Sequence, residues 1–128
     1  MHILIVEDNK MIANVLAAIL YPIAKTIDLA FSLTEAKQKL HEKGFTVVTL
    51  DLDLPDSTPA QTIEQIRELK SGRHHRVIVI SGSVSREEVA EAKRQGADGF
   101  LDKTDPSFVD KLKQLSLAAQ TPGGTLDL

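Results

Sequence analysis

Short apolar runs alternate with longer amphipathic stretches along the chain. The runs HILIV at residues 2–6, TVVTL at 46–50 and RVIVIS at 76–81 are largely continuous, as expected of strands covered on both faces. Residues 25–30 and 98–102 read as two further strands. Between the strands a 3.6-residue period returns. Residues 9–20 predict a helix with Ile12, Val15, Leu16 and Ile19 on one face, ending before Pro22. Residues 32–42 predict a second helix, with Leu33, Ala36 and Leu40 inward and Gly44 as its stop. Thr58-Pro59 supplies a cap and first turn for a third, which carries Ile63, Ile66 and Leu69 towards Gly72. Residues 85–95 predict a polar helix closed by Gly96, and Asp105-Pro106 opens a last one through Ala119. Residues 120–128 lack any period and read as a linker-like or disordered tail.

Five strand–helix units of this length predict one α/β domain over residues 1–119. Its expected architecture is a doubly wound, five-stranded parallel sheet between two helical layers. Ligands of such sheets gather beyond the carboxyl ends of the strands, where strand order reverses.

That edge is where the polar chemistry falls. Glu7-Asp8 follow the first strand, Asp51 and Asp53 the third, Ser81-Gly82-Ser83 the fourth and Lys103 the fifth. The stretch VVTLDLDLPDS is the most pointed case, since a run suited to burial ends in Asp51, Asp53 and Asp56. Two like charges about 4 Å apart repel by about 4 kcal/mol at an effective dielectric of about 20. The alternation from Thr49 to Leu54 also fits a half-exposed strand with both aspartates in water. Convergence of all these groups on one edge argues instead for a binding site. A hard divalent cation held by oxygens would offset the crowding and leave one carboxylate as a nucleophile. Ser81 and Lys103 would then stabilise a transferred phosphoryl group.

Composition narrows the field. The chain has 128 residues, no cysteine and a net charge of -3, so disulfides and thiolate metal sites are excluded. One Tyr, four Phe and no Trp give little with which to stack bases or a flavin ring. The densest basic segment, Lys70-Ser-Gly-Arg73-His-His-Arg76, reads as a solvated connector, so direct nucleic-acid binding is not expected. His2, His41, His74 and His75 lack ligand spacing and are expected on loops or surfaces. No apolar run is long enough to span a membrane, and Met1-His2-Ile3 leads straight into a strand. A soluble cytoplasmic protein is expected.

These residues resemble the response-regulator receiver domain of two-component signalling. Glu7-Asp8 after HILIV, LDLDLP with Asp51, VIVISGS with Ser81 and GADGFLDK with Lys103 carry the likeness over residues 1–119. The resemblance implies a flavodoxin-like three-layer fold with strand order 2-1-3-4-5. It implies phosphorylation of Asp51 by a histidine kinase or phosphotransfer protein, with Mg²⁺ held by Glu7, Asp8, Asp51 and the backbone carbonyl of Asp53. Ser81 and Lys103 would contact the phosphoryl group, and Phe100 matches the family's switch aromatic. It also implies a phosphorylation-dependent dimer or output partner at the fourth helix, fifth strand and last helix. Thr104 stands where many receivers have proline, and ISGS with GFLDKT is most similar to NarL-like regulators. Pro59 replaces a common glycine, Phe100 lacks a hydroxyl, and Asp53 occupies a position where receivers tune dephosphorylation. The linker-like tail suggests an output domain outside this segment.

Two other readings remain open on the residues. DLDLP, Ser81 and Lys103 also resemble the haloacid-dehalogenase phosphatases, with Asp51 as nucleophile and Asp53 as general acid/base. That family, however, carries its acidic metal pair last rather than first. A receiver-like interaction module that is never phosphorylated is the other.

Overall fold

The computed structural model describes residues 1–83 and 85–120. Five strands, β1 (His2–Val6), β2 (Thr26–Ala30), β3 (Val47–Asp51), β4 (Arg76–Ser81) and β5 (Gly99–Asp102), alternate with five helices. The helices are α1 (Lys10–Leu20), α2 (Leu33–Glu42), α3 (Pro59–Lys70), α4 (Arg86–Arg94) and α5 (Phe108–Ala119). All strand pairs are parallel, in the order β2-β1-β3-β4-β5. The reversal therefore lies between β1 and β3, as the doubly wound reading expects.

Side-chain alternation on the strands divides the core in two. Leu4, Val6, Val48, Leu50, Val77 and Val79 pack beneath α2, α3 and α4. Ile3, Ile5, Val47, Ile78 and Ile80 pack on the other face, under α1 and α5. β3 is buried along its whole length, which excludes the half-exposed strand. Local chemistry sets the helix starts. Asn9, Ser32 and Ser85 each accept a backbone N–H from three residues on. Thr58 and Gln61 form a reciprocal capping box with Pro59 in the first turn.

Several expectations are corrected. The buried stripe of α1 is Ala13, Leu16 and Leu20, whereas Ile12 and Val15 are exposed. Lys10 and Asn14 are the only polar residues of KMIANVLAAIL, so apolar side chains extend well round the helix, and the face laid on the sheet is turned from the one the period picks. Gly44 does not end α2 with a left-handed turn; Lys43 caps it in an extended conformation. Gly72 and Gly96 do take positive φ, at 71° and 104°. α5 begins at Phe108, because Asp105 first closes a turn by accepting the Ser107 N–H. The tail expected over 120–128 lies, apart from Gln120, outside the described residues. No helix among the described residues is long and apolar enough to cross a membrane.

His75 is buried rather than exposed, and its Nε2 has no partner among the described residues. Burial, with help from Arg73 and Lys70 and against Asp98, pushes its pKa down from 6.5 to about 4. The unfolded chain therefore binds the proton more readily. His75 contributes stability that is present above pH 6.5 and lost as pH falls towards 4. The slope should reach up to ~1.4 kcal/mol per pH unit, less any solvent screening. Chemical denaturation of the metal-free protein between pH 7 and 4 should show His75→Gln with a shallower acid loss than the native chain. Parallel curves would show that the imidazole does not drive it.

Candidate phosphoacceptor and cation site

Three strand ends and one loop build the site. The Glu7 N–H donates to the Ala30 carbonyl at 2.9 Å, which continues β1 against β2 and holds Glu7 at the edge. Asp51 is the last residue of the central strand β3. Lys103 follows β5, and its N–H donates to the Ser81 carbonyl at 2.9 Å. Parallel register thus gathers Glu7, Asp51 and Lys103, distant in sequence, at one edge of the sheet.

One oxygen from each of Glu7, Asp8 and Asp51 lies within 4.8 Å of the others. Glu7 and Asp51 are buried, at 1% and 3% exposure, while Asp8 is open to solvent. The Lys103 Nζ donates to Asp51 Oδ2 at 3.1 Å and to Glu7 Oε1 at 3.4 Å. Asp51 Oδ1 accepts the Asp53 N–H at 3.0 Å. Glu7 Oε2 is buried with no partner among the described residues. Burial, and then the neighbouring Asp51 carboxylate, push Glu7 up to about 8 against the opposing pull of Lys103. Burial alone would lower the Lys103 ammonium, but Asp51 and Glu7 outweigh it and hold it above its usual value.

The donor set fits a hard cation. It is all oxygen, one buried oxygen has no partner among the described residues, and the Glu7 carboxyl is pushed up by burial and then by Asp51, both of which a divalent charge would oppose. The exposed Asp8 leaves room for the waters that magnesium keeps.

The other residues singled out in the sequence are distributed differently. Ser81 is buried on the adjoining strand, and its hydroxyl donates to the Ser83 carbonyl at 2.9 Å rather than to Asp51. Asp53 is exposed and lines, with Ser81, Ser83, Pro59 and Ile63, a groove between α3 and α4. Phe100 pairs with Val79 in the sheet and is half-buried against the core beneath α2–α4. The Lys103–Thr104 bond is trans.

Two features had no signal in local sequence. Asp56 is not a third site carboxylate. Its Oδ1 accepts the Leu33 N–H at 2.9 Å, and its Oδ2 accepts the Thr34 N–H at 3.0 Å and the Thr34 hydroxyl at 2.7 Å. Slight burial is outweighed by these three donors, which hold its carboxyl below the usual range. The second is the outward face of α1, where Met11 and Val15 are 77% and 53% exposed.

Comparison with known proteins bears on the family and the fold. The family model of the response regulator receiver domain matches residues 3–114. The transcriptional regulatory protein CutR of Streptomyces coelicolor is 30% identical over 103 residues, covering 80% of this chain and 46% of CutR. The nitrate/nitrite response regulator NarL of Escherichia coli K12 is 39% identical over 74 residues, 57% of this chain and 32% of NarL. The solution structure of the beryllofluoride-activated NtrC4 receiver domain dimer superposes with a TM-score of 0.78 at 31% identity. That match covers 92% of this chain and 94% of the receiver-domain chain in that structure. The chain spans about half the length, or less, of these curated relatives.

Proposed function

Since the chain belongs to the response-regulator receiver family, we propose that it accepts a phosphoryl group on Asp51 from a histidine kinase or phosphotransfer protein and changes its associations in response. The observation that carries this is the buried Asp51 carboxylate, bonded to Lys103 and crowded by Glu7 and Asp8. Glu7, Asp8, Asp51 and the carbonyl of Asp53 would hold Mg²⁺, which when bound supplies positive charge to the incoming phosphoryl oxygens. Asp51 Oδ attacks phosphorus, and the donor's leaving group departs with the bonding pair. Lys103 takes up charge on the transferred group, whose oxygens are to be met also by the Ser81 hydroxyl. The apolar residues Met11, Ile12 and Val15, on the helix that follows Asp8, suit the donor's docking.

The protein should be labelled by a small acyl-phosphate donor to about one acid-labile group per chain and then stop. The haloacid-dehalogenase alternative is not favoured, and continuous phosphate release from a phosphoester would revive it against this reading.

The output side of the proposal is the α4–β5–α5 face, where Val109 and Leu117 of α5 are exposed. For the Ser81 hydroxyl to reach a phosphoryl group it must leave Ser83, altering the connection into α4 and the space beside Phe100. The coupling should be about 1–3 kcal/mol, roughly 5–150-fold in association. Sedimentation of beryllofluoride-treated protein should show an association that Ser81→Ala largely loses. Equal responses in the two proteins would exclude this route.

A further inference from the structure

We propose that Asp56 is a positioning residue for the cation site, acting through the N-terminus of α2 on the loop that carries Asp53. The inference rests on the proposed role of the Asp53 carbonyl as a cation ligand. Residues 52–58 connect β3 to α3; Leu52 and Leu54 are buried, the Leu52 N–H donates to the Ile80 carbonyl at 3.3 Å, and side-chain hydrogen bonds pin the loop at three further places. At the near end, the Asp53 N–H donates to Asp51 Oδ1. At the far end, Thr58 is locked into its capping box, and the Thr62 hydroxyl donates to Ser57 Oγ at 2.9 Å. Between these lies Asp56, whose two carboxylate oxygens receive three donors from Leu33 and Thr34.

A helix cap alone does not account for this arrangement. α2 already has one in Ser32, whose hydroxyl accepts the Glu35 N–H at 3.0 Å. Asp56 reaches the same turn from 22 to 23 residues away and satisfies the N–H groups that Ser32 does not. Its added consequence is to lash the loop to the helix that follows β2. An aspartate is suited to the task because two oxygens on one carbon bridge adjacent N–H groups. The loop is thereby held in one conformation before any cation arrives, and the ligand carbonyl within it is preorganised. By linkage, cation binding must in turn favour the Asp56 clamp.

Two caps on one turn provide the control. Mg²⁺ titrations followed by NMR on the full chain would compare the native protein with Asp56→Ala, Asp56→Asn and Ser32→Ala. Asp56→Ala should weaken Mg²⁺ binding about tenfold, as loss of a supporting outer partner typically does. Asp56→Asn, which keeps one good acceptor, should fall between. Ser32→Ala should loosen the start of α2 yet bind Mg²⁺ as the native chain does. Mg²⁺ should also slow amide exchange at Leu33 and Thr34 in the native protein, but not in Asp56→Ala. Native-like Mg²⁺ affinity in Asp56→Ala, or equal losses in Asp56→Ala and Ser32→Ala, would overturn the inference alone. Failure of the native chain to bind Mg²⁺ at Glu7, Asp8 and Asp51 would overturn the proposed site and this inference with it.

Discussion

Asp51→Asn should take up no phosphoryl group from an acyl-phosphate donor, whereas Asp53→Asn should still take up about one per chain. Asp8, Asp51, Asp53 and Asp56 differ in what surrounds them. Asp51 alone combines burial with a direct ammonium contact, the Lys103 Nζ at 3.1 Å. A carboxylate attacking phosphorus needs positive charge where the phosphoryl oxygens develop theirs, and charge stabilisation of this kind is worth about 10²–10³ in rate per donor. Asp8 and Asp53 are exposed, and among the described residues neither side chain has a cationic partner. The Asp56 carboxylate is engaged by Leu33 and Thr34. Asparagine keeps the size of Asp51 and can still accept the Asp53 N–H, so the fold around the site should survive. The nucleophilic oxygen is lost, and with it the negative charge that pairs with Lys103 and contributes to the acidic cluster. Borohydride reduction of the labelled native protein should trap the modification at residue 51. A trapped product at residue 53, or native-level labelling of Asp51→Asn, would remove Asp51 from the role.

The central strands show why most of this was legible in the sequence. HILIV and RVIVIS permit little except burial on both faces; Glu7 follows the first at once, and Ser81 ends the second. Strand identity therefore fixes where Glu7, Asp51 and Ser81 fall, and parallel pairing does the rest. Motif likeness supplied the strand order, which periodicity does not contain. The misread parts share a cause. α1 carries apolar side chains well beyond the face its period picks, and only packing against the sheet chooses Ala13 over Ile12. His75 looked like a surface residue because its neighbours Arg73, His74 and Arg76 are polar, yet its burial is decided by tertiary packing. Asp56 was one acid among three until α2 closed on it from more than 20 residues away. Local sequence describes what a residue can do nearby; it carries little about contacts made only after folding.

Mg²⁺ affinity should rise about tenfold per pH unit from pH 6 to 8 and level off above, because one proton must leave Glu7 before it can serve as a ligand. With its carboxyl pushed to about 8, Glu7 is protonated in most metal-free molecules at pH 7. Burial is the largest cause and the adjacent Asp51 the next, while Lys103 opposes them. A divalent cation held by Glu7, Asp8 and Asp51 would reverse the preference by favouring the carboxylate. Calorimetry near pH 7 in buffers of different ionisation enthalpy should register release of nearly one proton per Mg²⁺ bound. Glu7→Gln has no such proton to lose, so its affinity should be weaker at pH 8 and nearly flat down to pH 6. Asp51→Asn removes a major cause of the shift, so any residual binding should have its pH dependence moved to lower pH. Stability carries the same signature. A carboxyl raised from 4.5 to about 8 contributes stability that is fully present below pH 4.5 and lost as pH climbs through 8. The metal-free chain should therefore lose this contribution towards alkaline pH, the opposite sense to His75, and the stabilisation gained on adding Mg²⁺ should grow over the same interval. Proton release that persists unchanged in Glu7→Gln would mean that another group governs the site.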